Sequence, residues 1–489
     1  MASLFDGRPL IARDSERRTP DDALRSDQPE LVAVYGRRRV GKTFLVRSVC
    51  RPVLAFELVG IHDADLATQL RAFAVALEKA TSAVGPLEPP TDWHQAFQQL
   101  TSHLTARAKR RRGAPVAIFF DEVPWLASRR SGFLPAFEHF WNTWAGQQSW
   151  LTVVLCGSAA SWMLEHVVTQ RGGLHNRVTR RLRVEPFTLG EAEALLAHRG
   201  VRLDRHQCIE LYLALGGVPH YLSQVERGES AAQSIDRLCF ARDGLLRDEF
   251  DTLFSSLFDG AERHEAVVRL LARRRRGLTR AEVLEGAKLD SGGAASKVLE
   301  ELEQSGFIAQ TPRLGRKVRE GVYWLADEFS LFSLTWIARG RRATGDGSWV
   351  RRQGTPAWRS WAGLAFEALC LKHVKALKQG LGIAGVESVE ASWSARPGSG
   401  LKDGAQIDLV IDRADRCVNL CEMKFSQAPF VIDKAYAREL RHKRDAFRTG
   451  TGTRKAIFLT LITSAGLVEN EYSRELVAQS LMLDALFAR

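Results

Sequence analysis

GRRRVGKT, Gly36 to Thr43, stands between an apolar run, Leu31–Tyr35, and the segment Phe44-Leu45-Val46-Arg47-Ser48-Val49. Strand, glycine-bounded loop, then helix is the context that a phosphate-binding loop requires. Gly36 and Gly41 let the backbone wrap closely around phosphate oxygens. Successive N–H groups and the following helix N-terminus add positive potential. Lys42 is expected to reach the β/γ phosphates, and the Thr43 hydroxyl to bind Mg²⁺. Arg37, Arg38, Arg39, Val40 and Phe44 complete the expected nucleotide-contacting stretch. The three arginines suit a polyanion, and exposed surface charge accounts for them as well. The bland alternative is a glycine turn with a solvated lysine.

Working outward, the bulk composition sets the class. The chain has 489 residues, 45% hydrophobic and 26% charged, enough for three or four domains. Basic residues number 69 and acidic 57, a net charge of +12 that admits a nucleic-acid partner without requiring one. The longest apolar stretches, around Leu151–Cys156 and Ala456–Ile462, are too short to span a bilayer, and no membrane partner is expected. The N-terminus shows no basic segment followed by an apolar one, so no secretion signal is read. Seven scattered cysteines, an odd number, point to a reducing cytoplasm. Cys417 and Cys421 read as packing residues of a strand.

Upstream of the loop, Pro20, Asp21 and Asp22 suggest a turn opening a short helix, and Ile11–Glu16 is placed near the nucleotide base. Downstream, Val53–Val59 reads as a strand. Ala64–Ala80 and Trp93–Ala108 read as helices with apolar faces. The basic run Arg107–Arg112 is read as a solvated loop rather than a nucleic-acid contact. VAIFFDEVPWLA, Val116 to Ala127, has the continuous apolar pattern of a buried parallel strand. Its Asp121 and Glu122 would lie at the strand's carboxyl end, where open α/β sheets bind ligands. Asp121 is expected to hold Mg²⁺ through water, and Glu122 to polarise the attacking water. Trp150–Met163 begins as another buried strand. Ser158 at its end either senses the γ-phosphate or caps the next helix. Arg177, Arg180, Arg181 and Arg183 are candidates for a charge-neutralising arginine, with Arg177 favoured as catalytic. Thr188 and Glu191 match a capping box.

Helical patterns run on to about Phe258, broken at LGGVPHYL, Leu215–Leu222, where a turn is expected to carry His220 and Tyr221. Residues 259–335 read as a winged helix. Three helices (Arg263–Ala272, Thr279–Glu285, Ser291–Ser305) precede two strands around a basic loop, Arg313–Arg319. The third helix has only Lys297 in its body, so DNA contact and internal docking both remain open. Arg339–Gly347 and Gly354–Pro356 read as a linker.

AQIDLVIDRADRCVNLCEMKFS, Ala405 to Ser426, holds a second constellation. Ile407–Ile411 and Val418–Phe425 read as hairpin strands joined by a polar turn, Arg413–Arg416. Glu422 and Lys424, two apart, project to one face. Asp408 on the neighbouring strand can approach Glu422. Carboxylates so placed can hold one or two Mg²⁺ ions against a phosphodiester, with Lys424 orienting or deprotonating water. Glu367, on a helix over Trp361–His373, could add a ligand. A helix over Asp433–Phe447 follows. A surface hairpin with an ion pair is the alternative.

On these residues the chain resembles the prokaryotic STAND-type ATPases of the AAA+/ASCE group, fused to a restriction-endonuclease-like PD-(D/E)xK domain. GRRRVGKT and IFFDEVPWL resemble the Walker A and Walker B motifs, CGSAASWM the sensor strand, and GGVPHYL the GGxP motif of the lid. Ile11–Glu16 resembles the N-terminal arginine-acid box. Glu367, Asp408, Glu422 and Lys424 resemble the nuclease motif. Gln406 stands where many relatives carry an acid, and a loop, Arg396–Gly404, sits just ahead of Asp408.

The expected fold is multidomain α/β. A P-loop NTPase domain with a parallel sheet and helices on both faces (1–190) leads to a helical lid (191–258). A winged helix (259–335), a linker (336–357) and a restriction-endonuclease-like α/β domain (358–489) follow. The expected function is an ATP- and Mg²⁺-dependent switch, hydrolysing ATP and controlling a DNA-acting, Mg²⁺-dependent nuclease-like domain. The rival is an ATP-gated DNA- or protein-binding regulator whose nuclease-like domain is silent. DNA is the expected partner; a protein trigger and homo-oligomerisation are compatible with both readings.

Overall fold

The computed structural model describes residues 9–81, 86–110, 113–128, 130–168, 174, 176–258, 260–274, 277–316, 320–338, 347–395 and 404–488. The chain divides into two compact units, Met1–Glu185 and Pro186–Arg489.

In the first unit five strands form one parallel sheet. They are β1 (Glu30–Tyr35), β2 (Leu54–Val59), β3 (Val116–Asp121), β4 (Leu151–Gly157) and β5 (Arg180–Arg183). The order across the sheet is β2-β3-β4-β1-β5. Alternate side chains of each central strand point to opposite faces. Leu31, Ala33, Ile118, Phe120, Val153 and Leu155 pack into one core with the helices Leu66–Thr81, Trp93–Arg110 and Phe133–Thr143. Val32, Val34, Ala117, Phe119, Val154 and Cys156 pack into the other, with the helices Asp14–Leu24 and Lys42–Cys50. Both faces are covered, which is why the strands read as unbroken apolar runs. Strand β4 lies between β1 and β3, with Val34 opposite Cys156 and Phe120 opposite Leu155. Its carboxyl end therefore stands between the glycine-rich loop and Asp121.

One local expectation is corrected here. Pro20 does not open a helix; it lies inside the helix Asp14–Leu24. The acidic residues Asp14 and Glu16 in the first turn start that helix earlier, where negative charge suits its N-terminus.

The second unit begins with helices. Thr188 caps Leu189–His198, and its reciprocal bond with Glu191 completes the capping box. Arg205–Leu215 follows and ends at Gly216, where φ is +67°. A second correction falls here: His220 and Tyr221 sit in a one-turn helix, Pro219–Leu222, with proline in its first turn, not in an open turn. Gly217 is needed because a Cβ there would meet the Phe187 carbonyl oxygen at 1.9 Å.

Three helices, Ala261–Ala272, Arg280–Gly286 and Gly293–Gln304, accompany a small antiparallel sheet whose first strand falls between the first two of them. Its strands β6 (Leu278–Thr279), β7 (Ile308–Thr311) and β8 (Val322–Leu325) run in the order β6-β8-β7. Part of the expected basic loop, 317–319, lies outside the described residues, as do 275–276. So do 339–346 of the expected linker. The described flank of that linker is well packed: Trp349 is 1% exposed, and its N–H donates to the Asp236 carboxylate at 2.6 Å.

A mixed five-stranded sheet closes the chain. Its strands are β9 (Ser388–Ala395), β10 (Ala405–Arg413), β11 (Cys417–Lys424), β12 (Ala456–Thr463) and β13 (Val477–Met482), in the order β13-β12-β11-β10-β9. The first three pair antiparallel; β11, β12 and β13 pair parallel. The helix Lys434–Thr451 packs Ala437, Leu440 and Phe447 against Ile407, Val410 and Leu420. Residues 396–403, ahead of Asp408, lie outside the described residues. No described helix is long and apolar enough to cross a membrane.

Candidate functional site

The first site is built on the ends of β1, β3 and β4. Between β1 and the helix Lys42–Cys50 the chain turns through Gly36 (φ +148°) and Gly41 (φ +93°). A Cβ at Gly36 would lie 2.2 Å from the Val184 carbonyl oxygen, so only glycine fits. Arg37 is buried, Arg38 is exposed, and Arg39 adopts φ +68° in the same turn. Arg13, named in sequence as part of an arginine-acid box, is buried. It donates from Nη2 to the Val40 carbonyl at 2.9 Å and from Nη1 to Glu16 at 2.5 Å. The N-terminal segment is thereby tied to the loop.

Lys42 is only 5% exposed, yet its Nζ meets two backbone carbonyls, Gly36 at 2.8 Å and Arg37 at 2.9 Å. It forms no ion pair among the described residues. A buried ammonium compensated only by carbonyl dipoles favours an anion beside it. The Thr43 hydroxyl donates to Asp121 Oδ2 at 2.6 Å. This hydroxyl and carboxylate are hard oxygen donors of the kind Mg²⁺ takes, so the residues present fit a Mg²⁺–nucleotide. Phe44 follows in the first turn of the helix.

Glu122 sits one residue beyond β3 with φ +50° and ψ +49°, a left-handed conformation rare for glutamate. Such strain, of order 1–3 kcal/mol, persists where the surroundings enforce it. Ser158 is the partner. Its hydroxyl lies 2.8 and 2.6 Å from the two carboxylate oxygens, and its N–H donates at 3.1 Å. Of the two readings open for Ser158, the cap is not made: Ala159 is the N-cap of the next helix, Ala160–Met163, and the Ser158 hydroxyl faces Glu122 instead. Asp121 and Glu122 thus divide the labour, one facing Thr43 and the other Ser158. Burial and the nearby Asp121 charge push the Cys156 thiol well above its ordinary value, which leaves it neutral. Arg177 is exposed and makes no side-chain hydrogen bond or ion pair among the described residues. It is not brought to Lys42, Asp121 or Glu122 in this structure.

The second site lies in the C-terminal sheet. The register between β10 and β11 ends at the pair Leu409–Cys421, with Asp408 and Glu422 the next residues along the two strands. Glu367 comes from the helix Pro356–Lys372, which Thr355 caps. Burial raises the Glu367 carboxyl to about 7, and the charges of Asp408 and Glu422 add to this against Lys424 and Lys443. These groups therefore share one electrostatic neighbourhood. Gln406, noted for replacing an acid, donates to Asp408 Oδ1 at 2.7 Å. The Lys424 ammonium lies over the Tyr436 ring, 4.7 Å from its centroid.

Two residues of this site were not singled out in sequence. Lys443 donates to both oxygens of Glu422 at 2.8 and 3.0 Å, and the Tyr436 hydroxyl donates at 3.1 Å. Both come from the helix Lys434–Thr451, seven residues apart on one face. That spacing was the available signal. Burial, then the Glu422 charge, pushes the Tyr436 hydroxyl upward, so it remains a donor. Among the described residues no group of three His, Cys, Asp or Glu side chains stands close enough to hold a metal ion. The oxygen donors suit Mg²⁺ in kind, but Glu422 is already neutralised by Lys443.

Residues 12–225 match the family model described as an ATPase domain predominantly from Archaea. The uncharacterized protein MJECL04 of Methanocaldococcus jannaschii is 23% identical over 366 residues, covering 73% of this chain and 75% of that protein. Among solved structures, a Walker-type ATPase of Pyrococcus abyssi is 18% identical with a TM-score of 0.48, covering 68% of this chain and 99% of that one. The ORC2 protein of Aeropyrum pernix, solved in ADPNP and ADP complexes, is 13% identical with a TM-score of 0.42, covering 70% and 98%. With a buried lysine in a glycine-bounded loop, a Thr–Asp pair and a serine-held glutamate within the matched span, residues 12–225 are a P-loop ATPase domain.

Proposed function

We propose that this protein is an ATP-driven switch whose ATPase domain governs a nucleic-acid-acting, nuclease-like C-terminal domain. The observation that carries this is the gathering of Glu367, Asp408, Glu422 and Lys424 around one end of β10 and β11. The small three-helix module with its three-stranded sheet is read as a winged helix, and the C-terminal sheet as restriction-endonuclease-like. ATP and Mg²⁺ at Lys42, Thr43 and Asp121 would hold one arrangement, and hydrolysis assisted by Glu122 would release it. Nucleotide biases such a switch only through different affinities for its two states. Lys42 would neutralise phosphate charge, and Ser158 would keep Glu122 facing the attacking water. Arg177, being exposed, is free to approach a nucleotide from a second copy of the chain.

In the C-terminal domain Asp408 and Glu422 would supply oxygen donors to a divalent ion, with Glu367 beside them and Lys424 placing water. Cleavage of plasmid and branched DNA with Mg²⁺ or Mn²⁺ and ATP tests this. Wild type should cut, and Asp408→Ala and Lys424→Ala should not. Equal behaviour of all three on every substrate overturns the nuclease assignment.

A second reading has its own support. Glu422 is held by Lys443 and Tyr436, and among the described residues no three His, Cys, Asp or Glu side chains stand close enough together to hold a metal ion. On that reading the C-terminal domain is a silent recognition module, and the protein is an ATP-gated binder of DNA or protein.

A further inference from the structure

A cleft of about 1900 Å³ runs through the second unit between the small sheet and the C-terminal sheet. Its lining includes Arg273, Arg274, Arg313 and Arg316, and also Glu367 and Asp408. Drug-sized ligands occupy roughly 300–1,000 Å³, so this space exceeds what a small cofactor fills.

The cations are poised for an outside anion. Arg273 and Arg274 close the helix Ala261–Ala272 and are exposed, as is Arg316 in the turn after β7. None of the three, nor Arg313, forms an ion pair among the described residues; Arg313 reaches only the Ser394 hydroxyl, at 3.4 Å. Arg352 also lines the cleft but is engaged, donating to the Trp336 carbonyl and lying over the Phe240 and Trp336 rings. On the acidic side, Asp412 is neutralised by Lys455 at 2.6 Å and Glu282 is engaged by Thr279 in its capping box; Glu367 and Asp408 also line the cleft.

The cleft is built rather than incidental. Leu314 donates to the Ser392 carbonyl at 3.0 Å, and Ser392 to the Pro312 carbonyl at 2.9 Å. These bonds stitch the arginine-bearing turn onto the edge strand β9, whose unpaired backbone groups they satisfy. Trp324 and Trp336, each partly exposed, add flat aromatic surface.

We propose that this cleft binds a single polynucleotide strand, its phosphates on Arg273, Arg274, Arg313 and Arg316 and its bases against Trp324 and Trp336. The proposal rests on the nucleic-acid reading above and specifies it: a single strand, led by the turn after β7 past Glu367 and Asp408. Aromatic faces with a cationic groove are the two parts that strand binding requires, and an acidic peptide would use only the second.

The test is anisotropy of a fluorescein-labelled oligothymidylate of roughly 20 nucleotides with the full chain in EDTA, beside matched RNA and duplex probes. The DNA and RNA strands should bind at least tenfold more tightly than duplex. Four phosphate contacts give a log–log salt slope of about −2.8, so affinity should fall roughly 50-fold from 50 to 200 mM salt. The Arg273→Glu/Arg316→Glu variant should flatten the slope by about 1.4 and weaken strand binding at least tenfold. Arg263→Glu, exposed on the same helix but off the cleft, should bind as wild type. Unchanged binding by the double variant, equal affinity for duplex, or displacement by poly-glutamate at matched charge each overturns the proposal. Cleavage is absent in EDTA, so a silent Asp408 leaves this result intact and sinks only the nuclease reading.

Discussion

The Ser158 hydroxyl lies within hydrogen-bond distance of both carboxylate oxygens of Glu122, 2.8 and 2.6 Å away, from a strand inserted between the phosphate loop and the acid's own strand. Glu122→Gln should lower the ATP turnover number by roughly 10²–10⁴-fold, the range for a positioned general base, while leaving nucleotide affinity near wild type. Ser158→Ala should cause a smaller fall, about tenfold, because the carboxylate survives but loses its orientation. Steady-state phosphate release with a parallel nucleotide-binding titration separates the two effects. A Ser158→Ala enzyme at full speed would show that the contact is merely structural.

Lys42 is expected to matter for binding before chemistry. With Mg²⁺–ATP at 100 times its Kd, wild type should gain about 2.7 kcal/mol of stability, seen as a rise in Tm. Lys42→Ala should show almost none of that rise and no ATP turnover. Asp121→Asn should keep some nucleotide binding but lose its Mg²⁺ dependence. Calorimetry with and without Mg²⁺ reads both.

The Glu422–Lys443 pair is largely buried, with side-chain exposures of 11% and 18%. Lys443→Met strands a carboxylate, and the second unit should lose about 3 kcal/mol. The double variant Glu422→Leu/Lys443→Met should recover much of this, since the desolvation of both charges disappears together. Urea unfolding of the three variants measures the coupling, and simple additivity would refute the pairing.

His373 supplies a pH signature. Burial, reinforced by the Lys372 charge, lowers its pKa to about 4, against a hydrogen bond to the Leu369 carbonyl that acts the other way. The neutral ring also accepts from the Leu189 N–H at 3.3 Å. The unfolded chain takes up a proton below its ordinary value of 6.5 while the folded chain does not. Stability from this group is therefore complete above pH 6.5 and is lost as pH falls toward 4, on the order of 3 kcal/mol across the window. His373→Gln should be less stable than wild type at pH 7.5, with the gap narrowing by pH 5. A pH-independent gap in urea titrations would contradict this.

Much of the first site is written locally. The glycine loop, the apolar strands on either side of it and the Asp121–Glu122 pair are contiguous patterns, and the backbone obeys them because both faces of each central strand are buried. The Thr188 capping box is equally local. Pro20 and the Pro219–Leu222 turn misled the sequence reading because a proline in a helix's first turn or interior depends on which carbonyls the surrounding chain leaves unpaired.

Sequence alone determined that the chain has a glycine-bounded loop ahead of a helix, an acidic strand end and a Glu422–Lys424 pair on one face of a strand, because each is fixed by spacing along one element or its immediate neighbours. Only the tertiary structure decided that Ser158 faces Glu122, that Arg13 braces Val40, and that Lys443 and Tyr436 occupy Glu422. It also decided that four arginines share a cleft with Glu367 and Asp408. Those relations join side chains from separate elements, where sheet order and helix rotation, not sequence distance, set what meets.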